Sequence, residues 1–362
     1  MTRPACAHID CSALQHNLAR VREAAPASRI IAVIKANAYG HGLVPVAQAL
    51  DAADAFAVVG LEEAVSLREA GCEQRIVLLE GLFTAEDIAL VCAYRLDLVL
   101  HSGHQLDLLE HARLTRPVDV WLKIDSGMHR LGFAPARVEA VLGRLHAIAR
   151  IGAVRFMTHF ARADETDAPA TATQIAAFQA ALGAREGERS LANSAAVLAW
   201  PAAHGDWVRP GIMLYGGTPL AGRSAAELDL QPVMSLRSAL IAVAERNRGD
   251  PVGYGGDWVC PEDMRIGVAA IGYGDGYPRH APAGTPVLVG GRRAALAGRV
   301  SMDMLTIDLR NQPEARIGDE VVLWGEGLPV DDIARAAGTI SYELLSGINR
   351  RVRYYYHWGN GG

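Results

Sequence analysis

Charge of one sign never gathers in this chain. No long basic stripe and no arm rich in Lys and Arg interrupts it, and a net charge of −5 is spread along 362 residues. Nucleic acid is therefore not an expected partner. Cysteine is scarce as well. Cys6, Cys11, Cys72, Cys92 and Cys260 form an odd set without framework or C-x-x-C spacing. That argues against a disulfide scaffold and fits reduced thiols in a cytoplasmic protein. The opening stretch, "MTRPACAHIDCSALQHNL", has no apolar core, so no signal peptide is expected. No apolar run is long enough for a membrane span. Low-complexity segments are missing too.

What is there is apolar and periodic. Hydrophobic residues make up 50% of the chain, enough for one large domain and a smaller second one. From residue 12 to about residue 215, short apolar runs alternate with helical patterns. "SALQHNLARVREAA" has apolar residues three and four apart and reads as a helix. Strands are expected at 30–35, 55–59, 76–79, 96–100, 118–124, 154–160, 190–193 and 207–209. Stretches such as "LEEAVSLREAG" and "PARVEAVLGRLHAIA" supply helices between them. Eight strand-then-helix units over roughly 200 residues point to a closed (β/α)8 barrel of the TIM type. An open doubly wound sheet is the competing architecture. It would open on a Gly-rich dinucleotide turn, and "KANAYGHG" is not one. After about residue 225 the pattern becomes strand-like and punctuated by Gly and Pro, with only "VDDIARAAGTISYELLSGI" helical. We place the barrel at 10–225 and a mainly β domain at 226–362, joined by residues 1–9. "GYGDGY" is followed by Pro278 rather than a helix and reads as a turn, not a nucleotide loop.

An active site in such a barrel lies where the strands end. The first expected strand ends at Lys35, the fifth at Lys123 and Asp125, the sixth at His159, the seventh at Asn193 and Ser194, the eighth at Arg209. Each has an ordinary reading alone: a rim lysine, a structural imidazole, a salt bridge from Arg209 to Asp206. Their shared position favours function. His101 and His104 flank Ser102-Gly103 and read as a loop; no metal is expected. No Ser sits in a nucleophile elbow. A lysine in apolar surroundings has its pKa pulled down by burial. It can then form a Schiff base with an aldehyde. Ser194 opens the run "SAAVLAW" and offers N–H groups and a hydroxyl to an anion. Gly211 lets the backbone approach a phosphate. An amine nucleophile beside a phosphate cradle suggests pyridoxal 5′-phosphate.

The segments "RPACAHIDCSALQHN", "AVIKANAYGHG", "LKIDSGMHRLGF", "THFARADE", "NSAA", "RPGIMLYG", "VGYGGDW", "IGYGDGYPR", "GRVSMDM" and "TISYELL" follow one another in order. This series resembles the alanine racemases, fold-type-III pyridoxal-phosphate enzymes, over essentially the whole chain. The resemblance implies that Lys35 carries the cofactor and acts as one catalytic base in interconverting L- and D-alanine. Tyr39, Ser194, Gly211, Ile212 and Tyr342 would contact the phosphate, with Asn193 beside them. His159 would pack on the pyridine ring. Arg209 would face the ring nitrogen. A guanidinium is always protonated, so it disfavours a pyridinium and keeps carbanion character near Cα. Tyr254 would be the second base. Arg130 and the backbone at Met302 would meet the substrate carboxylate, and Tyr273 and Asp303 would border the entrance. Tyr254 and Met302 would come from a neighbouring subunit, so a head-to-tail homodimer with composite sites is implied. Lys123 would carry a carbamate that pairs with Arg130.

Ser301 stands in "GRVSMDM" where many relatives of this kind carry Cys, a change of similar size. Other readings remain: a non-catalytic pyridoxal-phosphate-binding barrel, a related decarboxylase, or a racemase of broad specificity. The first would usually lack a second domain. The second would place an acidic partner at the ring nitrogen, where this chain has Arg209.

Overall fold

The structure, a computed structural model, describes residues 3–359. Eight parallel strands close into a barrel: Arg29–Val33, Ala55–Val58, Arg75–Leu78, Leu96–Leu100, Val118–Lys123, Ile151–Met157, Arg189–Asn193 and Trp207–Arg209. Each strand reads as an apolar run, because helices cover its outer face and the barrel interior its inner face. "RIIAV" at the first strand is buried from its second residue onward. All eight strands fall where the sequence places them. The sixth begins three residues early, at Ile151 rather than 154. Gly152 gives the reason. It looks like a turn residue, but the Asp119 carboxylate occupies the place of its missing Cβ, and the strand runs through.

The helix Cys11–Ala24 precedes the barrel. Asp10 caps it by accepting from the backbone N–H of Ser12 at 2.8 Å and of Ala13 at 3.1 Å. Its inner face is Leu14, Asn17, Leu18 and Val21, at three- and four-residue spacing. Asn17 is buried and donates to the carbonyls of Leu214 at 3.0 Å and Gln231 at 2.8 Å, while accepting from Gln231 N–H. It thus fastens the exit of the barrel.

A second, mainly β domain follows. Its long strand Met234–Arg246 pairs with Glu320–Trp324 through its first half and with Met264–Ala269 through its second, so the sheet curls on itself. Cys6–Asp10, from before the barrel, lies in this sheet between Met234–Arg246 and the late strand Arg353–His357. The helical stretch near the end divides into Val330–Ala337 and Ser341–Ser346. Among the described residues, no helix is long and apolar enough to cross a membrane.

The barrel floor is charged. Arg75 bridges Asp97 at 2.6 Å and Asp119 at 2.7 Å, Arg155 bridges Asp119 and Glu188, and Arg29 also pairs with Glu188. Trp121 donates to Asp97 and Trp207 to Glu188, and Arg29 lies 4.0 Å from the centre of the Trp207 ring. The carboxylates respond differently. Burial raises the pKa of Asp97, with Arg75 offsetting only part. Burial would also raise that of Glu188, but hydrogen bonds from Arg29, Arg155 and Trp207 outweigh it and hold it at about 2. Glu188 therefore contributes stability above the ordinary carboxylate range, near pH ~4.3, and loses it as pH falls towards its folded value. Glu188→Gln should melt below the wild type at neutral pH. Thermal scans from pH 7 down to about 2 should show that gap closing below about pH 4.5. A gap independent of pH would mean that the network acts through packing alone.

Candidate active site

The first barrel strand delivers Lys35 into an unusual piece of backbone. Ala36, Asn37 and Ala38 all have φ of 54° and Tyr39 has 51°. These non-glycine residues make one turn wound left-handed. Such a turn costs roughly 1–2 kcal/mol per residue in Cβ crowding, so neighbours must hold it. Glu63 accepts from Asn37 N–H at 3.0 Å, and the Asn37 side chain accepts from Leu43 N–H at 2.9 Å. His41, fully buried, shares its Nδ1 proton between the carbonyls of Tyr39 at 2.9 Å and Ala38 at 3.2 Å. The Tyr39 ring stacks on Tyr215 at 4.7 Å, and Tyr215 donates to the carbonyl of Val33 at 3.0 Å. Burial, then the nearby Arg130, lowers the pKa of the Lys35 amine.

The other strand ends converge on the same cavity of about 500 Å³. Lys123 enters from the fifth strand. Burial, reinforced by Arg209, Arg130 and Lys35, brings its pKa down to about 8. Asp125, read from sequence as a neighbour, turns away. It accepts from the backbone N–H of Gly127 and His129 and from the His129 ring, and does not line the cavity. His159 lies two residues past the sixth strand, with its pKa lowered to about 3 by burial and then by Arg209 and Lys123. Arg209 is buried. Its Nη1 donates to the Ser190 carbonyl at 2.7 Å and to Ser190 Oγ at 2.6 Å, and its Nη2 to the carbonyls of Thr158 and Leu191. Nε–H is the donor left without a partner among the described residues.

The wall expected to meet an anion rests on a hydroxyl more than on a helix terminus. The helix after the seventh strand, Ser194–Ala199, has only six residues, and Asn193 caps it by accepting from Ala196 N–H. A helix that short supplies little dipole. Ser194 Oγ instead accepts from the N–H of Gly211 at 2.7 Å and of Met213 at 3.4 Å, which leaves its own proton free to donate into the cavity. Gly211, Ile212 and Tyr39 complete this wall, and Tyr342 reaches it from the second domain. Arg130 lines the cavity as well.

Among the described residues, none of Lys35, Lys123, Arg130 and Arg209 has a carboxylate within 4.0 Å. Uncompensated cations around a cavity mark a site for anions. The composition held a further signal that the sequence reading passed over. Only two of the chain's 35 cationic side chains are lysines, Lys35 and Lys123, and both line this cavity. The supporting residues Glu63, His41 and Ser190 had no signal of their own, since tertiary contacts alone give them their roles.

The remaining expected site residues lie elsewhere in this chain. Tyr254 is 67% exposed and Met302 51% exposed, on the second domain. They share that surface with the exposed Tyr273 and Met304. Asp303 pairs with Arg351.

A closed barrel that gathers a depressed lysine and unpaired cations at its strand ends is a cofactor-dependent barrel enzyme. The family patterns described as "Alanine racemase, N-terminal domain" and "Alanine racemase, C-terminal domain" match residues 9–219 and 233–356. An alanine racemase of Nitrosococcus oceani is 54% identical over 95% of this chain and 97% of its own length. The biosynthetic alanine racemase of Pseudomonas aeruginosa is 55% identical over 98% of this chain and all of its own. The crystal structure of biosynthetic alanine racemase from that organism superposes with a TM-score of 0.96 at 54% identity, covering 98% of this chain and 100% of its own. That of Acinetobacter baumannii gives 0.93 at 38% identity, with 98% and 100% covered. The chain belongs to the alanine racemase family, pyridoxal-phosphate-dependent isomerases.

Proposed function

We propose that the chain interconverts L- and D-alanine with two bases, Lys35 of one subunit and Tyr254 of its partner. The observation that carries this reading is the cavity at the strand ends. It holds one amine on a fixed turn, a hydroxyl wall, and cations without counter-ions. Those residues fit pyridoxal phosphate. Lys35 would hold it by the aldehyde. The Ser194 hydroxyl, Tyr39, Tyr342 and the backbone at Gly211 and Ile212, with Asn193 beside them, would hold its phosphate. His159 would lie against its ring, and Arg209 Nε–H would meet its ring nitrogen. Bound there, the cofactor supplies an electron sink that acidifies the α-proton of an amino acid.

The chain's own groups do the rest. Arg209 is anchored by four hydrogen bonds and does not swing, so it donates in one direction only. Arg130 is free to take a substrate carboxylate. Lys35, its ammonium form disfavoured, can take a proton from one face of Cα. Tyr254 would serve the other face from the partner, together with the backbone at Met302, and Tyr273 and Asp303 would border the entrance. Their exposure on the second domain supports a head-to-tail homodimer with composite sites. Burial disfavours the ammonium form of Lys123 and so eases access to the neutral amine that carbamate formation requires, and a carbamate there would give Arg130 an anion to lean on.

The test is a spectrum with one variant. Purified wild-type chain given pyridoxal phosphate should take up one equivalent per subunit with a visible absorbance. Borohydride should then fix the cofactor to the Lys35 peptide. Lys35→Ala should give no fixed adduct, and its racemisation should fall by about 10³-fold or more. A wild-type chain that stays colourless would sink this reading.

A further inference from the structure

We propose that Tyr354 and Tyr356, on the last strand of the second domain, are positioning residues for Lys35. The inference rests on the reading of Lys35 as cofactor holder and base. The two phenols stand two apart on Arg353–His357, so both face the barrel, while Tyr355 faces outward and is exposed. Tyr354 Oη donates to the carbonyl of Gly40 at 2.8 Å, and Tyr356 Oη donates to the carbonyl of His41 at 3.0 Å. Their rings stack at 6.4 Å, which fixes each against the other.

These two carbonyls directly follow the left-handed turn. Four successive carbonyls, from Ala38 to His41, thus each receive a side-chain donor: His41 Nδ1 for the first two, Tyr354 for the third and Tyr356 for the fourth. A left-handed turn lacks the intrinsic preference that holds an ordinary helix. Its geometry, and with it the direction of Lys35, depends on such anchors. The approach is close. Gly42 has φ of 96°, and a Cβ there would run into the Tyr356 hydroxyl. The anchors are also rigid. Arg353–His357 is paired in register with Cys6–Asp10, which is paired in turn with Met234–Arg246. One sheet therefore sets the place of Lys35 in its own subunit. The same domain carries Tyr254.

Phe replaces each phenol with almost no change of volume, so the fold should survive. The first measurement needs no cofactor. The full-length apo chain is trace-labelled with acetic anhydride over a range of pH, and the peptides carrying Lys35 and Lys123 are quantified by mass spectrometry. With two lysines in the chain, Lys123, kept free of carbamate by buffers depleted of carbon dioxide, is an internal reference. In Tyr354→Phe/Tyr356→Phe, the labelling ratio of Lys35 to Lys123 should change by about threefold or more, with the single variants in between. The second measurement uses the loaded enzyme in deuterated water. α-Proton exchange of D-alanine, the reaction of Lys35, should slow about tenfold, in keeping with the sensitivity of catalysis to sub-ångström misplacement. Exchange of L-alanine should slow less. A purely structural loss would lower both exchange rates in one proportion and leave the labelling ratio alone, and that pattern overturns the proposal, as does a double variant identical to wild type. Failure of the wild-type chain itself to load cofactor on Lys35 would instead strike the functional reading, so the two failures are distinguishable.

Discussion

Tyr254→Phe should return D-alanine labelled with deuterium from heavy water while hardly labelling L-alanine. In the proposed mechanism Lys35 and Tyr254 each serve one face of Cα, so losing one would leave the other half of the reaction running. Phe keeps the ring and loses only the acid–base group. Cofactor uptake should be unchanged, and D-alanine should still exchange through Lys35. Racemisation should fall about 10²- to 10⁴-fold, the usual contribution of a positioned acid–base group. A phenol has an unperturbed pKa near ~10, so it needs a partner at neutral pH. The family resemblance suggests His159, in the cavity that the partner's tyrosine would face, for that role. Its own pKa, lowered to about 3, keeps it neutral there and able to accept or donate one hydrogen bond. Nuclear magnetic resonance of both enantiomers over time measures the asymmetry directly. Equal loss for the two would point to a single base, and near-normal racemisation would remove Tyr254 from the mechanism.

Arg209→Leu should be among the most destabilising single changes in the barrel, even without cofactor. The guanidinium ties the carbonyls of Thr158, Ser190 and Leu191 together across the sixth and seventh strand ends. The Ser190 carbonyl keeps a donor in Thr158 N–H at 3.2 Å, so the cost falls mainly on the other two, at about 1–3 kcal/mol for a buried carbonyl left without a donor. Removing a cation beside Lys123 and His159 returns part of that, since Arg209 lowers the pKa of both. The net cost should be about 2–3 kcal/mol, a fall of about 3–4 °C in the melting temperature of a chain this long. Arg209→Gln, which keeps one donor group, should lie between. The pKa of Lys123 should rise from about 8 in the leucine variant, as trace labelling of its peptide would read. Unchanged melting would mean that water replaces the guanidinium at no cost.

The barrel strands are legible in the sequence because a parallel strand buried on both faces writes itself as a mostly apolar run, broken here only by polar and charged residues such as Asp97, Asp119 and Arg155 of the floor. The lysines, His159 and Arg209 are legible for a related reason: polar groups placed at the ends of such runs have few structural uses. The left-handed turn is not legible. Ala and Tyr carry no local preference for it and Asn37 only a slight one, and the Glu63 carboxylate as acceptor with His41, Tyr354 and Tyr356 as donors impose it. Cys6–Asp10 is equally silent, five residues whose strand partners lie more than 200 positions later. The helix expected at Ser194 is there, but its shortness was not legible, since it depends on where the chain meets Trp200 and Pro201. Tyr254 sits in a glycine-rich turn, and only resemblance gave it a role.

The place of Cys6–Asp10 has a consequence for how the chain is made. During synthesis these residues leave the ribosome early, yet they pair with Met234–Arg246 and with Arg353–His357. The barrel strands can form as they appear, but Cys6–Asp10 waits unpaired along both edges until Met234–Arg246 has emerged, and along one edge until Arg353–His357 follows. Long-range pairing of this kind is slow and leaves hydrogen-bonding groups open meanwhile. It also means that a cut near residue 225 would not release two finished halves. The later piece would lack the strand that joins Met234–Arg246 to Arg353–His357, and the tyrosines on that last strand would lose their hold on the turn after Lys35.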